Sequence, residues 1–151
     1  MIHRSLLSLV GITVAGLASA HHSTDAMFDA AGSFVLEAII EDTVWMNPHA
    51  YLLVYTQSEG GEVERWAVEI APPNALQRNE MPRAEFVTGT PVTITAHPAR
   101  QGVELSTQFM TAEVVARARA GRLVHGKALR LPNGKTFEDN AIWMSASGLA
   151  R

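Results

Sequence analysis

The sequence predicts an all-β chain, a small OB-like barrel of five to seven strands with one short helix between strands three and four. Three observations predict it. Apolar and polar residues alternate with period two over Phe34–Glu41, Glu64–Ile70 and Val92–His97, the spacing of half-buried strands, and Ala50–Tyr55 reads as a further strand with Leu52 and Val54 on one face and Tyr51, Leu53 and Tyr55 on the other. Turn chemistry at Asn47-Pro48, Ser58–Gly61, Pro72-Pro73 and Thr88–Pro91 separates those runs. Between the third and fourth runs, Asn74 stands as a helix cap before Ala75–Asn79. Three strands, a short helix and two or more further strands follow the order of a five-stranded Greek-key barrel. A sandwich of two small sheets is the alternative.

Taken in order, the chain opens as an export leader. Met1–Arg4 is short and basic, Ser5–Leu17 is apolar, and Ala18-Ser19-Ala20 supplies small residues for cleavage before His21. The apolar run falls short of the ~20 residues a spanning helix needs, so no integral membrane segment is expected after cleavage. The barrel is expected over residues 21–137, in the periplasm or secreted. In the first strand Phe34, Leu36, Ala38 and Ile40 share one face, and the alternation slips near Asp42–Thr43, which predicts a bulge there. Pro48 donates no ladder bond and holds Asn47 extended, so Asn47-Pro48 is a corner and a second strand starts beyond it. Trp66, Val68 and Ile70 share the inner face of the third strand. Val92, Ile94 and Ala96 share that of the fourth, and Val103 and Leu105 predict a fifth after Gly102. Phe109–Arg119 suits either strand or helix, Leu131–Thr136 is a turn, and residues 138–151 read as a loosely attached tail around Ile142-Trp143-Met144.

Composition excludes several function classes. Cleavage after Ala20 leaves eleven Lys and Arg against fifteen Asp and Glu, a formal charge of −4. Nucleic-acid affinity rests largely on neutralising phosphates, so no nucleic-acid partner is expected. The absence of Cys removes disulfides, thiolate metal sites, iron–sulfur clusters, covalent c-type haem and a catalytic thiol. Neither a G-x-S-x-G elbow nor an H-E-x-x-H helix is present. Glu37, Glu41 and Asp42 could form a carboxylate pair, but alternation makes Glu37 and Glu41 read as a solvated strand face. No catalytic residue is assigned, and the chain reads as non-enzymatic.

Several short stretches, from His21-His22-Ser23 to Ala96-His97-Pro98, resemble those of a known group. Between them lie Phe34–Glu41 feeding Trp45-Met46-Asn47-Pro48-His49, then Trp66, Pro73-Asn74-Ala75-Leu76 and the run from Gly89. Together these resemble the small exported bacterial proteins of domain-of-unknown-function family 6152, over roughly residues 20–135. The resemblance implies an exported single-domain β-barrel and no particular activity.

Two functional readings follow from side-chain chemistry. The first is an exported binding module for a small ligand or an exported protein partner, with Trp45, Asn47 and Tyr51 as its ligand face, since the sheet face and loops of OB-like barrels bind ligands. Trp66, on the apolar parity, reads as core. The alternative is a periplasmic protein binding copper or another divalent metal. Cleavage would give His21 a free α-amine beside its imidazole, and His22, His49 or His97 could complete a nitrogen site of the kind Cu(II) favours. Asn47 could orient such a ligand.

Overall fold

A computed structural model describes residues 24–104 and 107–139. The leader, His21 and His22 lie outside them. The elements in order are α1 (Thr24–Met27), β1 (Phe34–Val44), β2 (Ala50–Gln57), β3 (Val63–Ile70), α2 (Pro73–Arg78), β4 (Pro91–Pro98), α3 (Ala112–Arg119), β5 (Leu123–Arg130) and β6 (Thr136–Glu138). β1, β2 and β3 form an antiparallel meander, and β4 pairs with the first half of β1. β5 pairs antiparallel with β4 and parallel with β3, which closes a five-stranded barrel; β6 is an extra strand on β5. The expected OB-like barrel, with its helix between β3 and β4, is the architecture observed.

The period-two pattern sets which side chains fill the barrel. Leu36, Ala38 and Ile40 of β1 meet Leu52 and Val54 of β2, Val68 and Ile70 of β3, and Val92, Ile94 and Ala96 of β4 in one core. Leu76 from α2, Met81 and Phe86 pack into the same cluster. The bulge in β1 falls between Ile40 and Asp42, so Glu41 is the extra residue, one place earlier than expected. It reverses the parity: Thr43, 7% exposed, now faces inward and donates from Oγ1 to the Phe86 carbonyl at 3.3 Å. Trp45 follows it inward and packs on Phe86 with ring centroids 6.0 Å apart.

Two expectations need correction, and one left open is decided. α2 begins at Pro73, with Pro72 at the cap position and no side-chain cap; Asn74 is inside the helix. Proline at the first helical position removes one orphan donor, and the Pro72 carbonyl accepts from Ala75 N at 2.9 Å in place of a side-chain cap. Val103 and Glu104 are not in a strand, and Leu105 lies outside the described residues. The fifth strand is Leu123–Arg130 instead. The ambiguous stretch before it is helix: α3 starts where the Thr111 hydroxyl accepts from Val114 N at 3.3 Å, which satisfies one of the orphan donors at a helix start.

A second apolar layer lies outside the barrel. Tyr51 and Leu53 of β2, Ala67 of β3 and Leu123 of β5 are buried with Phe28 and with Val114 of α3. Phe28 is held by a bridge to Ala99, and Asp29 N donates to the Pro98 carbonyl. Phe137 is buried in the main core, and Asp139, at the start of the expected tail, is buried too; residues 140–151 lie outside the described part. Among the described residues, no helix is long and apolar enough to cross a membrane.

Candidate functional site

The outer layer contains a band of ionisable side chains built by strand register. Tyr51 on β2 lies opposite Glu69 on β3; Glu69 lies beside His125 on β5; His125 lies opposite His97 on β4. Because alternate residues face the same side of a sheet, all four point out of the barrel at one level. His49, just before β2, reaches the same place: its Nδ1 is 3.2 Å from Glu69 Oε1, while the Tyr51 hydroxyl is 3.4 Å from Glu69 Oε2. Beyond Glu69, His125 Nε2 stands 3.4 Å from Asp139 Oδ2, and Phe28 covers the His125 ring at 5.5 Å between centroids. Nδ1 of His125 has no hydrogen-bond partner among the described residues.

Electrostatics in this band follow from burial. Loss of solvent pushes the Glu69 carboxyl above the ordinary carboxylate range, and Asp139 adds to the effect. The His49 and His125 charges and the Tyr51 hydrogen bond oppose that rise without cancelling it. Burial, then the nearby Glu69 charge, pushes the Tyr51 phenol up as well. The arrangement is a largely paired polar layer, with His49, 29% exposed at its side chain, and half-buried His97 at its solvent side.

A second feature is an open groove of about 720 Å³ between the start of β3 and α3. Glu62, Val63, Glu64 and Arg65 form the strand wall; Glu113, Ala116, Arg117 and Ala120 form the helix wall, and Arg122 also lines it. Arg117, 6% exposed, fixes this helix to the barrel. It donates to Glu41 Oε2 at 2.7 Å, Glu113 Oε1 at 2.8 Å, the Trp66 carbonyl at 3.0 Å and the Val54 carbonyl at 3.3 Å. Burial works against the Glu41 carboxylate, yet hydrogen bonds from Arg117 and Arg65 hold its pKa below the usual range. Arg122 pairs with Glu64 and lies over the Trp66 ring at 4.7 Å.

The structure separates the residues expected to act together. Among the described residues, no group of three or more His, Asp or Glu side chains is placed to hold a metal ion, which overturns the expected copper site. The reason is visible in the register: His49 turns to Glu69, whereas His97 lies across the band beside His125, at 6.1 Å between rings. His21 and His22 lie outside the described residues. The ligand face also needs correction at Tyr51, which is 1% exposed beneath the outer layer. Trp45 points the opposite way, into the barrel, and Asn47 stands exposed in the corner between β1 and β2.

Glu69, His125, Asp139 and Arg117 were not singled out from the sequence. The signal for Glu69 was its place opposite Tyr51 on the same strand face; nothing local marked His125, Asp139 or Arg117, whose partners are far away in the chain.

No curated protein and no solved structure matched the chain when it was compared with them. A family model does match, over residues 10–108, a range that includes β1 to β4 and the strand wall of the groove but ends before α3 and β5. With two-thirds of its length covered by that match, the chain belongs to the family of unknown function DUF6152.

Proposed function

We propose that this protein is an exported, non-enzymatic binding module whose binding surface is the groove between β3 and α3. The groove carries the reading. Its volume of about 720 Å³ lies in the range of ligand clefts, roughly 300–1,000 Å³. Its lining supplies no hydroxyl, imidazole, thiol or amine; of its carboxylates, Glu113 and Glu64 are tied to Arg117 and Arg122, Glu62 stands exposed at the hairpin end, and Arg65 and Arg117 are engaged by Glu41. Such a surface offers shape, charge and hydrogen bonds, with most of its ionised groups committed to one another. By contrast, the face of β2 and β3 that OB-like barrels commonly offer to ligands is covered here by α3. Export is supported by Met1–Arg4, the apolar Ser5–Leu17 run and Ala18-Ser19-Ala20.

Photo-crosslinking tests the surface. A benzoyl-phenylalanine at Ala116, on the helix wall, is expected to give a discrete adduct in cells, and one at exposed Val87, away from the groove, is not. Equal labelling from both positions, or none from Ala116, refutes the groove as a binding surface. Intact mass of protein recovered from the same cells tests export, with a chain beginning at His21 expected.

A further inference from the structure

We propose that the groove takes an extended polypeptide segment of a partner, added as a strand beside Val63–Arg65, with a basic side chain at the hairpin end. This rests on the binding-module reading and names its partner class. β3 runs from Val63 to Ile70, but β5 pairs with it only at Ala67, Val68 and Glu69. Val63 to Trp66 pair with β2 along one edge, and among the described residues no strand occupies the other. Ala67 N–H points to the β5 side, where it donates to the Arg122 carbonyl at 2.8 Å. Backbone groups alternate in direction along a strand, so the N–H and C=O groups of Arg65 and Val63 face that same side, into the groove. They stand about 6.6 Å apart, two residues at the rise of a strand, which is the repeat an added strand presents. β5 has already set the line that such a segment would continue.

The walls suit that occupant. Ala116 and Ala120, one helical turn apart, leave space for side chains opposite the strand edge. Grooves of this kind, a strand edge facing a helix, capture peptides through main-chain bonds, with pockets for alternate side chains. Charge sets the orientation. Arg65, Arg117 and Arg122 are each paired, whereas Glu59 and Glu62, both exposed in the β2–β3 hairpin, have no cationic partner among the described residues. The hairpin end therefore carries unpaired negative charge and favours Lys or Arg there.

The probe is a blocked heptapeptide, acetyl-Lys-Val-Thr-Val-Thr-Val-Ser-amide, titrated into isotope-labelled protein while backbone amide shifts are followed. Saturable shifts at Val63 and Arg65 are expected. Arg65→Pro removes the edge N–H without touching the β2 ladder, and should weaken binding about tenfold, the factor for one lost hydrogen bond. Arg65→Ala, which loses the Glu41 pair but keeps the N–H, is the reference for the side chain, and Arg65→Pro should bind more weakly than it by the same factor. Alternate N-methylation of the peptide should abolish the shifts, and replacing its Lys with Glu should weaken them. Unchanged affinity in Arg65→Pro, equal binding of the N-methylated peptide, or no saturable shift overturns strand addition. An Ala116 adduct in the absence of such shifts would leave the binding module standing and remove only the strand mode. Concentration-dependent dimerisation of wild type that Arg65→Pro abolishes would assign the edge to a second copy of this chain and overturn the partner proposal.

Discussion

Glu69→Gln isolates what burying a carboxylate does to this fold. Glu69 is 6% exposed and holds His49 with one oxygen and Tyr51 with the other. Glutamine keeps both contacts without charge: its carbonyl oxygen accepts from the Tyr51 hydroxyl, and its amide donates to His49 Nδ1 when the imidazole carries its proton on Nε2. The sign of the pH effect follows from burial. The folded-state pKa of Glu69 is raised, so its contribution to stability is fully present below the unfolded value near 4.5 and is lost as pH rises through the folded value. One proton taken up on folding gives a slope of at most about 1.4 kcal/mol per pH unit, and each unit by which the pKa is raised amounts to about 1.4 kcal/mol. Wild type should therefore lose ground to Glu69→Gln between pH 4.5 and 8, with a relative gain for the variant of about 1–3 kcal/mol at the top of that range. Titrating groups that do not interact with Glu69 are common to both proteins and cancel to first order. Urea unfolding followed by Trp45 and Trp66 fluorescence at a series of pH values reads the difference directly. Parallel stability curves, or a gap that narrows as pH rises, would refute the assignment of Glu69 as a destabilising buried charge.

Two further substitutions test how the outer layer and the barrel seam are held. Arg117→Met keeps the aliphatic bulk but removes the hydrogen bonds to Glu41 and Glu113, and should destabilise by about 2–3 kcal/mol, with faster amide exchange along α3. Because the folded pKa of Glu41 is depressed, that pair stabilises above the unfolded pKa and fades as pH falls through the folded value, so the penalty should shrink in acid. Gly126→Ala places a Cβ 2.9 Å from Val68 Cγ1 and 3.1 Å from Ile70 Cγ2, where β3 and β5 close the barrel. Overpacking there should lower stability by about 1–3 kcal/mol, and Val68→Ala should relieve part of it in a double-mutant cycle on urea midpoints.

How much was legible in the sequence depends on how far apart the cooperating residues lie. β1, β3 and β4 could be read because each writes its own alternation, β2 because it is a short apolar run between turns, and the loops between them contain Pro, Gly or Asn where the chain must turn. Bulge and corner were legible too, since a slip in parity at Asp42 and a proline at 48 are local events. The fifth strand was misplaced because Val103 and Leu105 alternate over too short a stretch, while Leu123–Arg130 contains Gly126, whose missing side chain breaks the pattern where β5 must approach β3 closely. The polar band escaped for another reason. Tyr51, Glu69, His125 and His97 come from four strands, and only the register of a closed barrel brings them level.

One signal of the outer layer was nevertheless present in β2. Ala50-Tyr51-Leu52-Leu53-Val54 is apolar at every position, and all five residues are buried. A strand with one face in water alternates, whereas an unbroken apolar run implies cover on both faces. That cover had to come from outside the barrel, and Phe28 with Val114 of α3 supplies it. The opposite signal appears at the start of β3, where Glu62, Val63, Glu64 and Arg65 are all exposed. Across the β2–β3 ladder, Leu53 faces Ala67 beneath the outer layer, while Gln57 faces Val63 near the hairpin, where both are exposed. The switch from continuous to polar sequence marks where α3 stops covering the sheet. The open edge of β3 follows from where β5 joins it: pairing begins at Ala67, so among the described residues Val63 to Arg65 have no strand beside them on that side. The point at which β5 meets β3, with α3 standing opposite as the second wall, therefore defines the surface on which the binding reading rests.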